Sequence, residues 1–208
     1  MIFNIQDIHR QLPITGIVHV GGYVADEVHQ YRGIGLTNTI FFEPQRNLCE
    51  IIKQKLLPTE SVYNVALGSK KCTHTMYLSQ TEGGIAKGSG QSSSLLKPKI
   101  HLSEHPHVKF EGEAKVDVHT LDSYSLGKDY NFLNADVQGY ELEVLEGSVQ
   151  TLNQIDGMIL EVNRHEMYEN CPLINDIDEF LSSYNFKRVY QVWQSQGWGD
   201  AIYVKKKD

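Results

Sequence analysis

Residues 17–27, IVHVGGYVADE, decide how the rest of the chain is read. Ile17-Val18-His19-Val20 is a short run rich in β-branched residues, the pattern of a buried strand, and it leads straight into Gly21-Gly22. A glycine pair directly after a first strand lets a ligand approach the backbone, and the helix expected after Glu27 points its N-terminus at whatever sits there. The dinucleotide fingerprint GxGxxG is absent, because only Gly21 and Gly22 stand here and Ala25 occupies a later small position. Two readings follow: the first strand–turn–helix unit of a nucleotide-binding α/β protein, or a glycine pair that serves the turn alone.

Moving outward, Thr39–Phe42, Val62–Ala66, Phe132–Ala135 and Met158–Val162 are further short apolar runs that predict buried strands. Between them, Leu48, Ile51, Ile52 and Leu56 recur at helical spacing before Pro58, and Leu142, Leu145, Val149 and Leu152 do so before Gly157. Ile174, Ile177, Leu181 and Tyr184 repeat the pattern after the fifth strand. Strands alternating with amphipathic helices predict βαβ units and a mostly parallel, doubly wound sheet covered on both faces. The tail differs: Phe186–Val192 and Ala201–Val204 flank a Gly-containing connection and predict an antiparallel hairpin. Residues 79–115 hold five glycines, two prolines and many serines with little periodicity, which predicts a functional lid or an insert.

At 208 residues the chain has the size of a single domain, able to bury about 70% of its unfolded surface without disulfides or structural metal. Apolar residues at 40% and charged residues at 22% describe a globular protein rather than a disordered one. A net charge of −7 is the wrong sign for a general nucleic-acid binder, whose affinity comes from neutralising phosphates. Cys49, Cys72 and Cys171 are odd in number and widely spaced, so a reducing, cytoplasmic setting is expected. The longest uninterrupted apolar run is four residues, Ala201–Val204, and no signal-peptide pattern opens the chain; no membrane partner is expected. His101, His105 and His107 read as a surface loop with Pro106 inside it rather than a zinc site, and Trp193 and Trp198 as packing or a substrate wall. GxSxG, HExxH and GxxxxGK[ST] are all missing.

Chemistry concentrates at the predicted strand ends. Glu43, at the end of the second strand and 22 positions after Gly21, suits the two hydroxyls of a ribose. The third strand ends Asn64-Val65-Ala66-Leu67, small and polar residues able to flank an adenine. The fourth ends Asp136-Val137-Gln138-Gly139-Tyr140-Glu141 and the fifth Glu161-Val162-Asn163-Arg164-His165. Asp136, Glu161, Asn163 and His165 thus reach one rim, a set suited to a proton acceptor, a hydroxyl-binding surface or an oxygen-ligand metal site. The plainer alternative is that Asp136 and Glu161 cap the helices that follow them.

Taken in order, IVHVGGYVADEVHQYRGIG, IFFEP, VYNVALGS, SSSLL, VDVHTLDSY, FLNADVQGYELEVLEGS, MILEVNRHEMYE and WGDAIYV resemble the FkbM-type S-adenosylmethionine-dependent methyltransferases, from about Gly16 to Val204. His19 and Ala25 depart from the family's pattern, which has Asp and Gly in many members at these positions. The resemblance implies a class I methyltransferase, Rossmann-like fold with an antiparallel last strand, and O-methylation of a small-molecule or glycan acceptor. Gly21, Gly22 and the following helix end are expected to receive the amino-acid part of S-adenosylmethionine, Glu43 the ribose, and Asn64–Leu67, with Asn64 and Ala66, the adenine side; His19 and Asp136 are also expected to bind the cofactor. Asp136, Glu161 and His165 are the candidate bases. A divalent cation, Mg²⁺ or Mn²⁺, between Asp136, Glu161 and Asn163 is a further expectation. An NAD-type oxidoreductase and a non-catalytic binding module on the same scaffold are the alternatives.

Overall fold

A computed structural model of the chain describes residues 3–85 and 88–206. Seven strands form one sheet in the order β3-β2-β1-β7-β8-β10-β9. These are β1 (Ile17–Val20), β2 (Thr39–Phe42), β3 (Ser61–Tyr63), β7 (Phe132–Ala135), β8 (Gly157–Asn163), β9 (Phe186–Trp193) and β10 (Trp198–Lys205). The first five in that order run parallel, and β10 is antiparallel to both β8 and β9. The doubly wound sheet and the closing hairpin are as expected.

Every residue of β1, β2, β7 and β8 is buried, because helices cover both faces. On one face α1 (Ile5–Gln11), α2 (Val28–Gly33) and α3 (Arg46–Lys55) bury Ile5, Ile8, Val28, Tyr31 and Ile52 against Ile17, Phe41, Phe132 and Ile159. On the other, α5 (Glu141–Glu146) and α6 (Ile174–Ser182) set Val144, Leu145, Ile177 and Leu181 against Val18, Val20, Phe42, Leu133 and Leu160. The period of two in each strand separates these two apolar layers, and their burial supplies the main driving force for folding.

Two expectations need correction. The third strand does not run from Val62 to Ala66. It stops at Tyr63, where the Asn64 amide donates to the Glu43 and Pro44 carbonyls, both at 2.9 Å, and turns the chain out of the sheet. Ala66–Leu67 then form β4, which joins a second, three-stranded sheet in the order β4-β6-β5. Residues 79–115 are also more regular than their composition suggests. β5 (Cys72–Gln80) and β6 (Lys109–His119) pair as a long antiparallel ladder that takes in both ends of the segment, and α4 (His101–Glu104) lies between them.

Register positions the site. Val20 lies opposite Phe42 and Ala135, and Ala135 opposite Leu160. The next residue along each strand is therefore Gly21, Glu43, Asp136 and Glu161, all on one rim of the sheet. Asp200 in β10 pairs directly with Glu161 and extends the row.

Candidate active site

The rim is held by close backbone contacts. Gly21 has φ +81°, and a Cβ there would stand 1.8 Å from the Asp136 carbonyl oxygen. The first glycine therefore lets β1 and β7 end side by side at the crevice floor, and no L-residue fits without displacing that carbonyl. Glu43 is 3% exposed; its Oε2 accepts the Tyr23 N–H at 2.9 Å and its Oε1 the Gln45 N–H at 2.8 Å. Burial pushes its carboxyl up to about 7, although the two N–H groups favour the charged form.

Above this floor lies a narrow hollow of about 50 Å³. Glu43 and Gln45 stand at one side, Val65, Ala66, Leu67, Met76, Leu95 and Tyr140 form apolar walls, and Asp136 closes the end. Residues 88–95 cross the mouth. Gly90 donates to the Ser79 carbonyl at 2.9 Å and accepts from Gln45 Nε2 at 2.9 Å. Ser94 Oγ donates to the Gln138 carbonyl at 2.7 Å, and Ser94 bridges to Tyr77. The segment is thus fastened to both the β2 and β7 ends.

Gln138 is the centre of a polar network absent from the sequence-based candidates. It has φ 57°, a left-handed conformation uncommon outside glycine, and the turn continues through Gly139 at φ 92°. Its Nε2 donates to Asp136 Oδ1 at 2.7 Å and to Glu161 Oε2 at 2.8 Å. Its Oε1 lies 2.7 Å from the Tyr168 hydroxyl, which also lies 2.9 Å from the Ser92 carbonyl. Burial, with Asp136, Glu141 and Asp200 nearby, drives the Glu161 carboxyl well above the ordinary carboxylate range, so its neutral form is favoured. Burial also lifts Glu141 to about 8.

Two more hollows open from the same floor. One, on the α2 side, is lined by His19, Gly22, Glu27, Asn134, Glu161 and Asp200. The other is walled by His101, His105, His107, Tyr168 and Trp198. Asp136 and Gln91 line all three hollows and mark where they meet.

A family model described as Methyltransferase FkbM domain matches residues 17–188. The chain belongs to the FkbM methyltransferase family. Over 189 residues it is 25% identical to the 2-O-methyltransferase NoeI of Sinorhizobium fredii, a match covering 85% of this chain and 77% of NoeI. Among solved structures, Sp1610 of Streptococcus pneumoniae in complex with S-adenosyl-L-methionine superposes with a TM-score of 0.53 at 11% identity, covering 100% of this chain and 76% of that one. The ribosomal protein L11 methylase of Lactobacillus delbrueckii subsp. bulgaricus gives 0.51 at 7% identity, covering 98% and 77%. These likenesses establish the class I methyltransferase fold.

S-adenosylmethionine is the cofactor of this FkbM protein, and the residues present fit it. Glu43, fixed by the Tyr23 and Gln45 N–H groups, is a carboxyl placed to accept from ribose hydroxyls. The apolar walls suit an adenine ring, and the carboxyl-lined hollow beside Gly21 and Gly22 suits a cationic amine and sulfonium.

The family's predicted residues divide as follows. Gly21, Glu43, Ala66 and Asp136 line the main hollow. His19 and Gly22 line the α2-side hollow with Asp136 and Glu161. His19 is buried and pushed below its ordinary pKa chiefly by that burial. The Tyr31 hydroxyl, which accepts from Asn134 at 2.8 Å, lies 3.1 Å from His19 Nδ1. Asn64 is exposed and lines a different hollow beside Arg46 and Lys115, because its amide is spent on the Glu43–Pro44 turn. His165 is exposed and lines none of the three hollows. Backbone bonds from Arg164 and His165 to the Gly197 carbonyl draw it toward the β9–β10 turn.

A divalent cation between Asp136, Glu161 and Asn163 does not fit this arrangement. The Gln138 amide NH₂ donates to both carboxyls and so occupies oxygens that an ion would need. Asn163 is 1% exposed and lines none of the three hollows. Among the described residues, no group of three or more His, Cys, Asp or Glu side chains has a metal-holding arrangement.

Proposed function

We propose that this chain transfers the methyl group of S-adenosylmethionine to a hydroxyl oxygen of a small polar acceptor, a sugar or glycan, in the cytoplasm. The observation that carries the reading is the position of Asp136, on the shared floor of all three hollows. When bound, the cofactor supplies a methyl on a positively charged sulfur, so the acceptor oxygen gains a methyl and gives up its proton. A sugar hydroxyl needs a proton acceptor, and Asp136 is the carboxylate on this floor that meets both the nucleoside side and the histidine side. Gln138 fixes its orientation through the 2.7 Å bond. Glu161, favouring its neutral form, acts as a hydrogen-bonding group toward the acceptor rather than as the base. Residues 88–95 cover the mouth and exclude water from the transfer.

The name of the similar NoeI, a 2-O-methyltransferase, supports oxygen as the acceptor atom. Free Cys49, Cys72 and Cys171 suit a reducing compartment. No helix among the described residues is long and apolar enough to cross a membrane. The net charge of −7 argues against a nucleic-acid acceptor. The test is transfer of tritiated methyl to a panel of glycosides in the presence of EDTA. Wild type should turn over, and Asp136→Asn should lose about 10²–10⁴ in rate, the range for a general base. Cofactor binding without transfer to any hydroxyl would make the chain a non-catalytic module instead.

A further inference from the structure

Resting on that reading, we infer that the hollow walled by His101, His105 and Trp198 is the acceptor site and that it admits an uncharged sugar in preference to a phosphorylated or acidic one. Its position is the first ground. It shares Asp136 and Gln138 with the nucleoside hollow, and Asp136 and Glu161 with the carboxyl-lined hollow under Gly21, so an acceptor seated in it meets the proposed base directly.

Its construction is the second. The walls come from α4 with the loop after it and from the turn between β9 and β10, far apart in sequence. Two bonds join them: Ser195 Oγ donates to Glu104 Oε2 at 2.8 Å, and the Trp198 indole N–H to His105 Nε2 at 3.3 Å. The second bond fixes a tautomer, because an Nε2 that accepts leaves the ring proton on Nδ1 as a donor. His101 is 5% exposed and its ring packs on Phe110 and Tyr168; its Nδ1 has no hydrogen-bond partner among the described residues. An indole face for the apolar side of a pyranose, set among histidine, glutamine and carboxyl groups for its hydroxyls, is the composition a sugar needs.

Charge is the third ground and sets the specificity. Asp136 and Asp200 line the hollow beside the neutral-leaning Glu161, and no lysine or arginine among the described residues does. His101 and His105 are both pushed toward the neutral form, chiefly by burial, His101 down to about 4. Phosphate and carboxylate groups are recognised by guanidinium or ammonium groups, which the described lining of this hollow lacks, and here they would face the Asp136 and Asp200 carboxyls instead. Like charges about 6 Å apart at an effective dielectric near 20 weaken binding by roughly a hundredfold.

The experiment uses Trp193→Phe, which leaves Trp198 as the sole tryptophan of the two in the chain. Trp198 emission of the protein saturated with S-adenosylhomocysteine is followed while neutral methyl hexopyranosides, the matching hexose 1-phosphates and the matching uronates are added. Neutral glycosides should give a saturable change, and both anionic series should bind at least about tenfold more weakly. His105→Ala in the same background should weaken glycoside binding by about tenfold or more, while calorimetric affinity for S-adenosylhomocysteine stays within about twofold. Equal or tighter binding of the phosphates or uronates, no saturable response to any neutral glycoside, or indifference to His105→Ala would overturn the assignment. Methyl transfer is scored separately. Transfer to anionic hydroxyl acceptors would overturn this inference and leave oxygen methylation standing. Saturable glycoside binding without transfer would do the reverse.

Discussion

Replacing Glu43 by glutamine should uncouple cofactor affinity from pH. The native carboxyl is 3% exposed and raised by burial from 4.5 to about 7. Between those values the folded protein holds a proton that the unfolded chain has released. The group's contribution to stability is therefore full below about pH 4.5 and is lost as pH rises through about 7, a total of about 3 kcal/mol. Ribose hydroxyls donate to the ionised carboxylate, so ligand binding must expel the proton below the native pKa. Affinity for S-adenosylhomocysteine should fall by up to tenfold, about 1.4 kcal/mol, for each pH unit below about 7, with up to one proton released. Glu43→Gln should flatten that dependence and weaken binding at pH 8 by about 1.5–3 kcal/mol, the range for a hydrogen bond to a charged group. Its stability penalty should be larger at pH 5 than at pH 8, because at high pH the substitution also removes a buried charge. Calorimetry in buffers of different ionisation enthalpy reads both affinity and proton release. An affinity independent of pH in the wild type, or an unchanged slope in Glu43→Gln, would refute the placement of the ribose at Glu43.

Gly21→Ala should destabilise the fold by about 3 kcal/mol or more, since its Cβ would meet the Asp136 carbonyl at 1.8 Å in a φ +81° conformation; an unchanged melting temperature would contradict the close approach of β1 and β7. Gln138→Leu should cost about 2–4 kcal/mol in chemical denaturation, because Asp136 and Glu161 lose their shared donor; a neutral result would remove Gln138 from the centre of the network. Amide hydrogen exchange over residues 88–95 should slow when S-adenosylhomocysteine is added, and unchanged exchange would make the segment a fixed wall rather than a closing one.

The central sheet was legible because β1, β2, β7 and β8 are buried on both faces and so read as short runs dominated by apolar residues. Their shared register then carried Gly21, Glu43 and Asp136 to one rim. The second sheet was hidden for the opposite reason. β6 alternates exposed with half-buried residues and β5 is mostly half-buried, so neither strand of the long ladder reads as an apolar run. Asn64 and His165 went astray through local hydrogen bonds: an amide tied to the Glu43–Pro44 turn and a backbone drawn to Gly197. The histidines of α4 and its following loop looked like loop residues because what makes them a wall, Trp198, comes from the other end of the chain. Gln138 carried one overlooked signal: it stands between Asp136 and a glycine at a strand end, where a left-handed turn re-aims a side chain into the crevice.

The most direct test of the account is to supply S-adenosylmethionine labelled with ¹³C in its methyl group together with neutral glycosides, and to locate the label in the product by NMR. The label should appear as a methyl ether on a sugar oxygen. It should be absent from the product of Asp136→Asn assayed at saturating S-adenosylmethionine. Label on nitrogen or on a carboxylate, or undiminished ether formation by Asp136→Asn, would contradict oxygen methylation at a floor built around Asp136.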